Sequence, residues 1–429
     1  MSLIYYRSTS FFNKISDEFH KSFLFTTIFS ILSYFENQWV NSYFKSLYPS
    51  ENFLSFIKKN EILKNHIFNP LIVLVVFAAF LVLSIKHVST SLAYTLIIAF
   101  VFFFIGCVIL PRFFLNDDEK IIRFDKKDIY SIGFCLILVS IMFFFISIAS
   151  VGGIPLLKPS IRYLLKPAFT MPVFLIIPGT CILASVYLKD FEDNIITRSQ
   201  ARFRFLILLA IDVVFLLGLG YRTPLLAALL LLIIIGYFGN IIAVWEVVLG
   251  AVIGVCAIIG IGYIRSIGEL TVSSAIDPFY TLKNRADFTL HVLNLLDFLG
   301  GNFGATHGQI LAASIPGSEL GPRMMVGKLI AWRSEVTVTP TLIGQMVADY
   351  GKVGVGFEMC LLGFILGIGF KIIQKIKDYF YIGLYSLILT YSILGVETGL
   401  LDIQVLVYFA IAIFIYGVII LKSIFKKYY

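Results

Sequence analysis

Residues 205–238 read FLILLAIDVVFLLGLGYRTPLLAALLLLIIIGYF. One acid, Asp212, and one base, Arg222, are the only charges in it. Arg222 lies in Tyr221-Arg222-Thr223-Pro224, and the proline suits the first turn of a new helix. Crossing a bilayer takes about 20 apolar residues per helix. The stretch therefore reads as two membrane helices joined by a very short turn, the second of them short. The same pattern extends outward in both directions. Windows of span length give ten spans, at about Phe68–Ile85, Ser89–Leu110, Ile129–Ser150, Met171–Leu188, Phe205–Gly220, Pro224–Phe238, Ile241–Gly262, Val353–Ile373, Phe380–Val396 and Ile403–Leu421.

Composition agrees. Of 429 residues, 59% are hydrophobic and 14% charged, where a soluble domain carries roughly 25% charged residues. The mean hydropathy is +0.92. An ordinary soluble enzyme, a disordered chain and a secreted disulfide scaffold are excluded. The expected fold is an all-α polytopic membrane protein with about ten transmembrane helices. Residues 1–67 are rich in Phe, Tyr, Ser and Lys and read as amphipathic helices on the membrane surface; an eleventh span at Phe23–Phe35 is the alternative. The expected organisation is 1–67 interfacial, 68–262 with spans one to seven, 263–352 as a large extracytoplasmic loop containing short helices and the site, and 353–429 with spans eight to ten and a cytoplasmic tail. Within the loop, Asp277–Asp297 has helix-like apolar spacing behind Pro278. No cleavable signal peptide is evident in Met1–His20.

The net charge is +8. In a membrane chain it reflects the positive-inside bias and anionic lipid headgroups, and nucleic acid is not an expected partner. Lys and Arg crowd the connections after spans two, four and eight and the C-terminal tail, which puts these on the cytoplasmic side. The large loop and the segments Val151–Thr170, Tyr221–Thr223 and Glu397–Asp402 fall on the opposite side. The five cysteines all lie in apolar runs and none forms a CxxC pair, so they read as small hydrophobes.

Positive charge on the outer side needs a reason. Lys158, Arg162 and Lys166 follow Gly152-Gly153-Ile154-Pro155; Arg222 sits in its short turn; Arg265, Arg285, Arg323 and Arg333 lie in or beside the large loop. The planar guanidinium matches phosphate oxygens, so one reading is a diphosphate-binding site at the outer membrane boundary. The other is headgroup contact or ion pairing within the loop, with Asp277, Asp287, Glu319, Glu335 and Asp349 as available partners. Candidate bases are His307, set in the glycine-rich run Gly300–Gly308, and the carboxylates Glu335 and Asp349. Each has a plainer alternative: a structural histidine, a pairing acid, a helix cap. Asp212, mid-span, could serve the site or bind a neighbouring helix. The sequence has no GxxxxGK[ST], HExxH or GxSxG motif and no metal-ligand cluster.

The order of these features resembles a known family. Gly152-Gly153-Ile154-Pro155-Leu156-Leu157 precedes Arg162, Tyr221-Arg222-Thr223-Pro224 follows, and a late outer loop leads through Thr339-Pro340-Thr341-Leu342-Ile343-Gly344 into Asp349-Tyr350-Gly351-Lys352-Val353-Gly354. The layout is similar to that of oligosaccharide repeat-unit polymerases, the O-antigen polymerase-like membrane proteins of glycosyltransferase-C type. The resemblance implies glycan transfer from a polyprenyl diphosphate carrier to a second lipid-linked unit on the outer face of the cell membrane, by inversion and without cofactor or metal. It implies lipid-linked oligosaccharides and membrane lipids as partners, with a flippase and a chain-length regulator as candidates. Arg162 and Arg222, then Arg265, Arg323 and Arg333, carry over as diphosphate binders; Arg285 joins them as a candidate from its place in the large loop. Family members often carry Glu where this chain has Gln345, so the base role would pass to another residue such as Asp349. A ligase of similar architecture and a transporter of lipid-linked sugars are the competing readings.

Overall fold

The computed structural model describes residues 67–84, 88–114, 126–157, 161, 164–221, 223–254, 256, 278–315, 317–331, 337–376 and 378–428. The chain divides into two units, Met1–Ile67 and Phe68–Tyr429. The amphipathic helices expected in the first unit lie outside the described residues. Among the described residues the secondary structure is entirely helical, and every helix belongs to the second unit.

In chain order the helices are α1 (Ile72–Val82), α2 (Thr90–Phe104, extended by a π-helical turn over Ile105–Ile109), α3 (Lys126–Val151), α4 (Pro167–Glu192, with a 3-10 stretch at Met171–Leu175), α5 (Arg198–Gly218), α6 (Thr223–Phe238) and α7 (Val244–Gly254). Then come α8 (Pro278–Gly300), the short α9 (Gln309–Ala313), α10 (Pro322–Ala331), α11 (Thr341–Ile376), α12 (Tyr379–Thr398) and α13 (Ile403–Tyr428). Each expected span overlaps one of these helices, the first and seventh running past their helices into residues that are not described. Among the described residues, five stretches are long and apolar enough to cross a membrane: Thr90–Ile109, Lys126–Val151, Pro167–Glu192, Thr341–Lys375 and Tyr379–Thr398. α1, α6, α7 and the Ile403–Ile415 part of α13 are apolar but shorter, and α5 opens with Arg198, Arg202 and Arg204.

Local chemistry sets the helix starts. Ser89 Oγ accepts from Leu92 N at 3.1 Å and caps α2. Thr197 and Gln200 form a reciprocal capping box at α5. Asp378 accepts from Phe380 N at 2.9 Å at the start of α12. α11 packs on α2 and α12, and α4 packs on α3 and α12. The α2–α11 crossing is close because both helices present small residues: a Cβ on Gly106 would lie 2.0 Å from Cys360 O, and one on Gly363 would lie 2.4 Å from Phe103 O. In lipid such backbone approach supplies the van der Waals contact that holds helices together.

Polar contacts collect at two ends. At one, Asp190 takes Lys126 and, at 3.1 Å, Arg204; Arg202 meets Glu246 at 2.8 Å; Arg198 Nε donates to Asn240 O at 3.1 Å; Lys371 Nζ donates to Pro111 O at 3.1 Å. Glu246 also accepts from Ala243 N at 2.6 Å and caps α7. Mid-span Asp212 is fully buried and accepts from Thr180 Oγ1 of α4 at 2.9 Å. It binds a neighbouring helix, one of its two expected uses.

The helix expected over Asp277–Asp297 is present as the 23-residue α8. The start of span eight differs from the expectation: span eight, expected from Val353, belongs to a helix that begins at Thr341 and breaks at Gly351, with φ 64 and ψ −153. The added turns are stable because α8 and α9 cover them: Leu342, Ile343, Val347 and Ala348 are fully buried.

Candidate functional site

The break at Gly351 organises the second polar end. An α-helix interrupted this way frees N–H and C=O groups, which must find partners elsewhere. Here the run Gly300–Thr306 supplies them. Ala305 N and Thr306 N donate to Ala348 O at 2.7 and 3.1 Å; Lys352 N donates to Gly301 O at 3.2 Å, and Val353 N to Asn302 O at 3.4 Å. The approach tolerates no side chain: a Cβ on Gly304 would sit 2.1 Å from Asp349 O, and one on Gly351 2.3 Å from the Asn302 carbonyl carbon. Glycine also suits the left-handed φ at Gly351.

Asp349 is fully buried at this junction. Its Oδ1 accepts from Thr306 Oγ1 at 2.5 Å and Ile310 N at 3.0 Å, and its Oδ2 from Leu311 N at 2.7 Å. The carboxylate thus holds the first N–H groups of α9 from across the fold, where a helix N-terminus favours negative charge. Between its anchors lies His307, exposed and held at φ 48. The structure therefore brings His307 and Asp349 into one substructure, with the histidine presented outward and the acid occupied inward.

One helical turn before Asp349, on the same face, is Gln345. It is fully buried. Its Nε2 donates to Leu401 O at 2.6 Å and its Oε1 accepts from Leu401 N at 3.0 Å. The Gly399–Asp402 turn between α12 and α13 is thereby fastened to α11. The same connection receives two arginines. Arg285 of α8 pairs with Glu397, and Arg323 of α10 with Asp402 at 2.9 Å. Both side chains are about a third exposed, Arg285 at 36% and Arg323 at 29%, so neither pair is closed off from a ligand. Arg323 Nε is buried without a partner. Lys352 Nζ reaches Ser91 Oγ at 3.2 Å.

Of the residues singled out from sequence, Arg285, Arg323, His307 and Asp349 are thus placed at one end of the fold. Arg162, Arg222, Arg265, Arg333 and Glu335 lie outside the described residues. Sequence reasoning missed Glu397 and Asp402 as the arginines' partners and assigned the acids of the loop itself instead. Asp287 in fact meets Ser84, and Glu319 is exposed. The signal was available: a short turn with two acids, assigned to the side where unexplained arginines gather. Gln345 drew notice only as a departure from a family pattern. Among the described residues no three His, Cys, Asp or Glu side chains are grouped so as to hold a metal ion.

Comparison with known proteins fits this architecture. A family profile described as "Putative O-antigen polymerase" matches residues 66–409. An uncharacterized protein of Methanocaldococcus jannaschii is 25% identical over 345 residues, covering 79% of this chain and 91% of its own length. No solved structure matches. The family match spans most of the chain, from before α1 into α13, and takes in the loop, the Gly351 break and the acidic turn; the chain belongs to the O-antigen polymerase family.

Proposed function

We propose that this protein polymerises lipid-linked oligosaccharide repeat units on the extracytoplasmic face of the cell membrane. Glycan moves from a polyprenyl diphosphate carrier to a hydroxyl of a second lipid-linked unit. The observation that carries this reading is the family match over residues 66–409. The gathering of Arg285, Arg323, His307 and the glycine loop at one end of the helices supports it.

The chemistry follows from these groups. The acceptor oxygen attacks the anomeric carbon as the bond from that carbon to the diphosphate oxygen breaks, with inversion. The acceptor proton passes to a base, and the diphosphate departs with its new charge. Guanidinium groups placed where that charge develops stabilise it in the transition state. Arg162 and Arg222 are the principal candidates, with Arg265, Arg285, Arg323 and Arg333 around them. Arg285 and Arg323 already meet carboxylates, so a diphosphate would take the place of Glu397 or Asp402 as their partner. His307 is the favoured base because its side chain is exposed and an imidazole nitrogen can accept a proton from a bound hydroxyl. Asp349, with both oxygens engaged, serves by holding the His307 loop. Glu335 stays a candidate acid. No metal takes part in this scheme.

The test is elongation by purified protein in nanodiscs, supplied with lipid-diphosphate-linked oligosaccharide and resolved as a ladder of products. The expected result is a ladder that survives EDTA and weakens by about 10²–10³-fold in Arg222→Ala and Arg162→Ala, the usual effect of deleting one charge-stabilising donor. His307→Gln is expected to weaken it as well. Transfer of a single unit without a ladder would favour a ligase. An undiminished ladder in both arginine variants would remove those residues from the site.

A further inference from the structure

The sequence places 263–352 outside the bilayer, which would leave α8 and the glycine loop in water. Three sets of contacts point the other way. First, α8 descends along α2. Asn294 Oδ1 accepts from Ser89 N, at the cap of α2, at 3.2 Å, and Asp297 accepts from Thr95 Oγ1 at 2.5 Å. Thr95 is fully buried and lies six residues inside α2, about 9 Å below its cap at 1.5 Å per residue. The loop continues at that level, since Gly301 and Asn302 pair with Lys352 and Val353 at the head of the apolar part of α11.

Second, the exposed surface changes character along this path. α8 shows Lys283 and Asn284 near its start, then Phe288 and His291, and finally Phe298 and Leu299. Phe298 is 82% exposed and Phe303 in the loop 76%. Beside Phe303, α11 exposes Val353, Phe357, Leu361 and Ile365, one stripe at four-residue spacing. The neighbouring α2 exposes Tyr94, Ile97 and Val101. Thr90–Ile109 and Thr341–Lys375 are both of span length and composition, so the aromatic tip of the loop continues a lipid-facing surface.

Third, much of the loop's backbone is paired with protein. Gly301 N donates to Asp297 O at 3.0 Å and Gly304 N to Gly300 O at 2.7 Å, in addition to the bonds with Ala348, Lys352 and Val353. Pairing of this kind lowers the cost of irregular backbone at membrane depth.

We propose that the C-terminal end of α8 and the Gly300–Gly304 loop form a re-entrant element seated in one leaflet, with Phe298 and Phe303 among the acyl chains of the bilayer. His307 then emerges at headgroup level. The inference concerns where the loop sits and stands apart from the sugar chemistry.

The test uses the full chain in lipid vesicles. The three tryptophans, Trp39, Trp245 and Trp332, are replaced by Phe, and helix content is checked by circular dichroism. Single tryptophans are then placed by Phe303→Trp and, independently, Phe298→Trp, with Glu319→Trp as the exposed comparison. With phosphatidylcholine brominated on its acyl chains, the probes at 303 and 298 should emit to the blue, lose half or more of their intensity and resist aqueous iodide. The probe at 319 should show the reverse. If the probes at 303 and 298 behave like that at 319, the loop lies in water and the proposal fails. If they emit to the blue but respond to neither quencher, protein covers the tip and the proposal fails equally.

Discussion

Gln345 uses both ends of its amide on the backbone of one residue, Leu401, across 56 positions of chain. A glutamate there would turn a carboxylate oxygen toward the Leu401 carbonyl and lose the donated bond. Leaving a buried acceptor unmade costs about 1–3 kcal/mol. Gln345→Glu is therefore expected to lower the unfolding midpoint of the protein in detergent, and an unchanged midpoint would show that the turn is held by the arginines alone. Asp349 makes a sharper case. Its carboxylate accepts from three donors, whereas an Asn offers a single acceptor oxygen and points N–H at a remaining donor. Asp349→Asn should lose about 1–3 kcal/mol and free α9 to exchange its amide hydrogens faster, read by hydrogen–deuterium exchange over 306–313. Equal exchange in the variant and the parent would oppose the anchoring role. Sequence alone brought Asp349 forward as a base or a cap. Its position beside Tyr350-Gly351 was legible, but its partners 38 to 43 positions away were not, because long-range register has no local signature.

At the scale of elements, the end that holds His307 is a joint between a broken helix and a glycine loop. The sequence showed the glycines of 300–308 and the Gly351 element as separate features. Their mutual fit is a property of the backbone: Gly300, Gly304 and Gly351 have no room for a Cβ, which would lie 2.0, 2.1 and 2.3 Å from the backbone of the facing stretch. Gly351→Ala adds a methyl 2.3 Å from the Asn302 carbonyl carbon and places a side chain at φ 64, ψ −153. That backbone region costs a non-glycine residue on the order of 1–3 kcal/mol before any clash. The expected outcome is release of the loop rather than loss of the helices: far-UV circular dichroism stays near the parent while limited proteolysis gains a cut in 300–315. No new cut would mean that the joint adapts to the methyl. The same logic explains why helix positions were readable and the start of α11 was not. Apolar runs mark what lies in lipid, whereas Thr341–Asp349 is buried by neighbouring protein helices and carries Gln345 and Asp349 among its apolar residues.

Across the molecule, charge separates to the two ends of the helices. One end holds Lys126, Arg202 and Arg204 with Asp190 and Glu246; the other holds Arg285 and Arg323 with Glu397 and Asp402. The crowding of lysine and arginine in alternate connections along the sequence anticipated the first of these ends, since successive spans reverse direction and short loops inherit a sidedness from their lysines and arginines. Alternation could not pair the charges within an end, because pairing depends on which helices are neighbours. It does predict which end faces the cytoplasm. The connection before α5 carries Lys189, Arg198, Arg202 and Arg204, a cluster expected to keep it on the cytoplasmic side. Replacing the five cysteines by Ser or Ala and introducing Ser199→Cys or Glu319→Cys, both at exposed positions, turns this into a labelling experiment. A membrane-impermeant maleimide should modify position 319 in intact cells and position 199 only after permeabilisation. Labelling of 199 in intact cells with 319 protected would invert the molecule. The His307 loop and both arginine pairs would then face the cytoplasm, and a polymerase working on exported lipid-linked glycan could not use them.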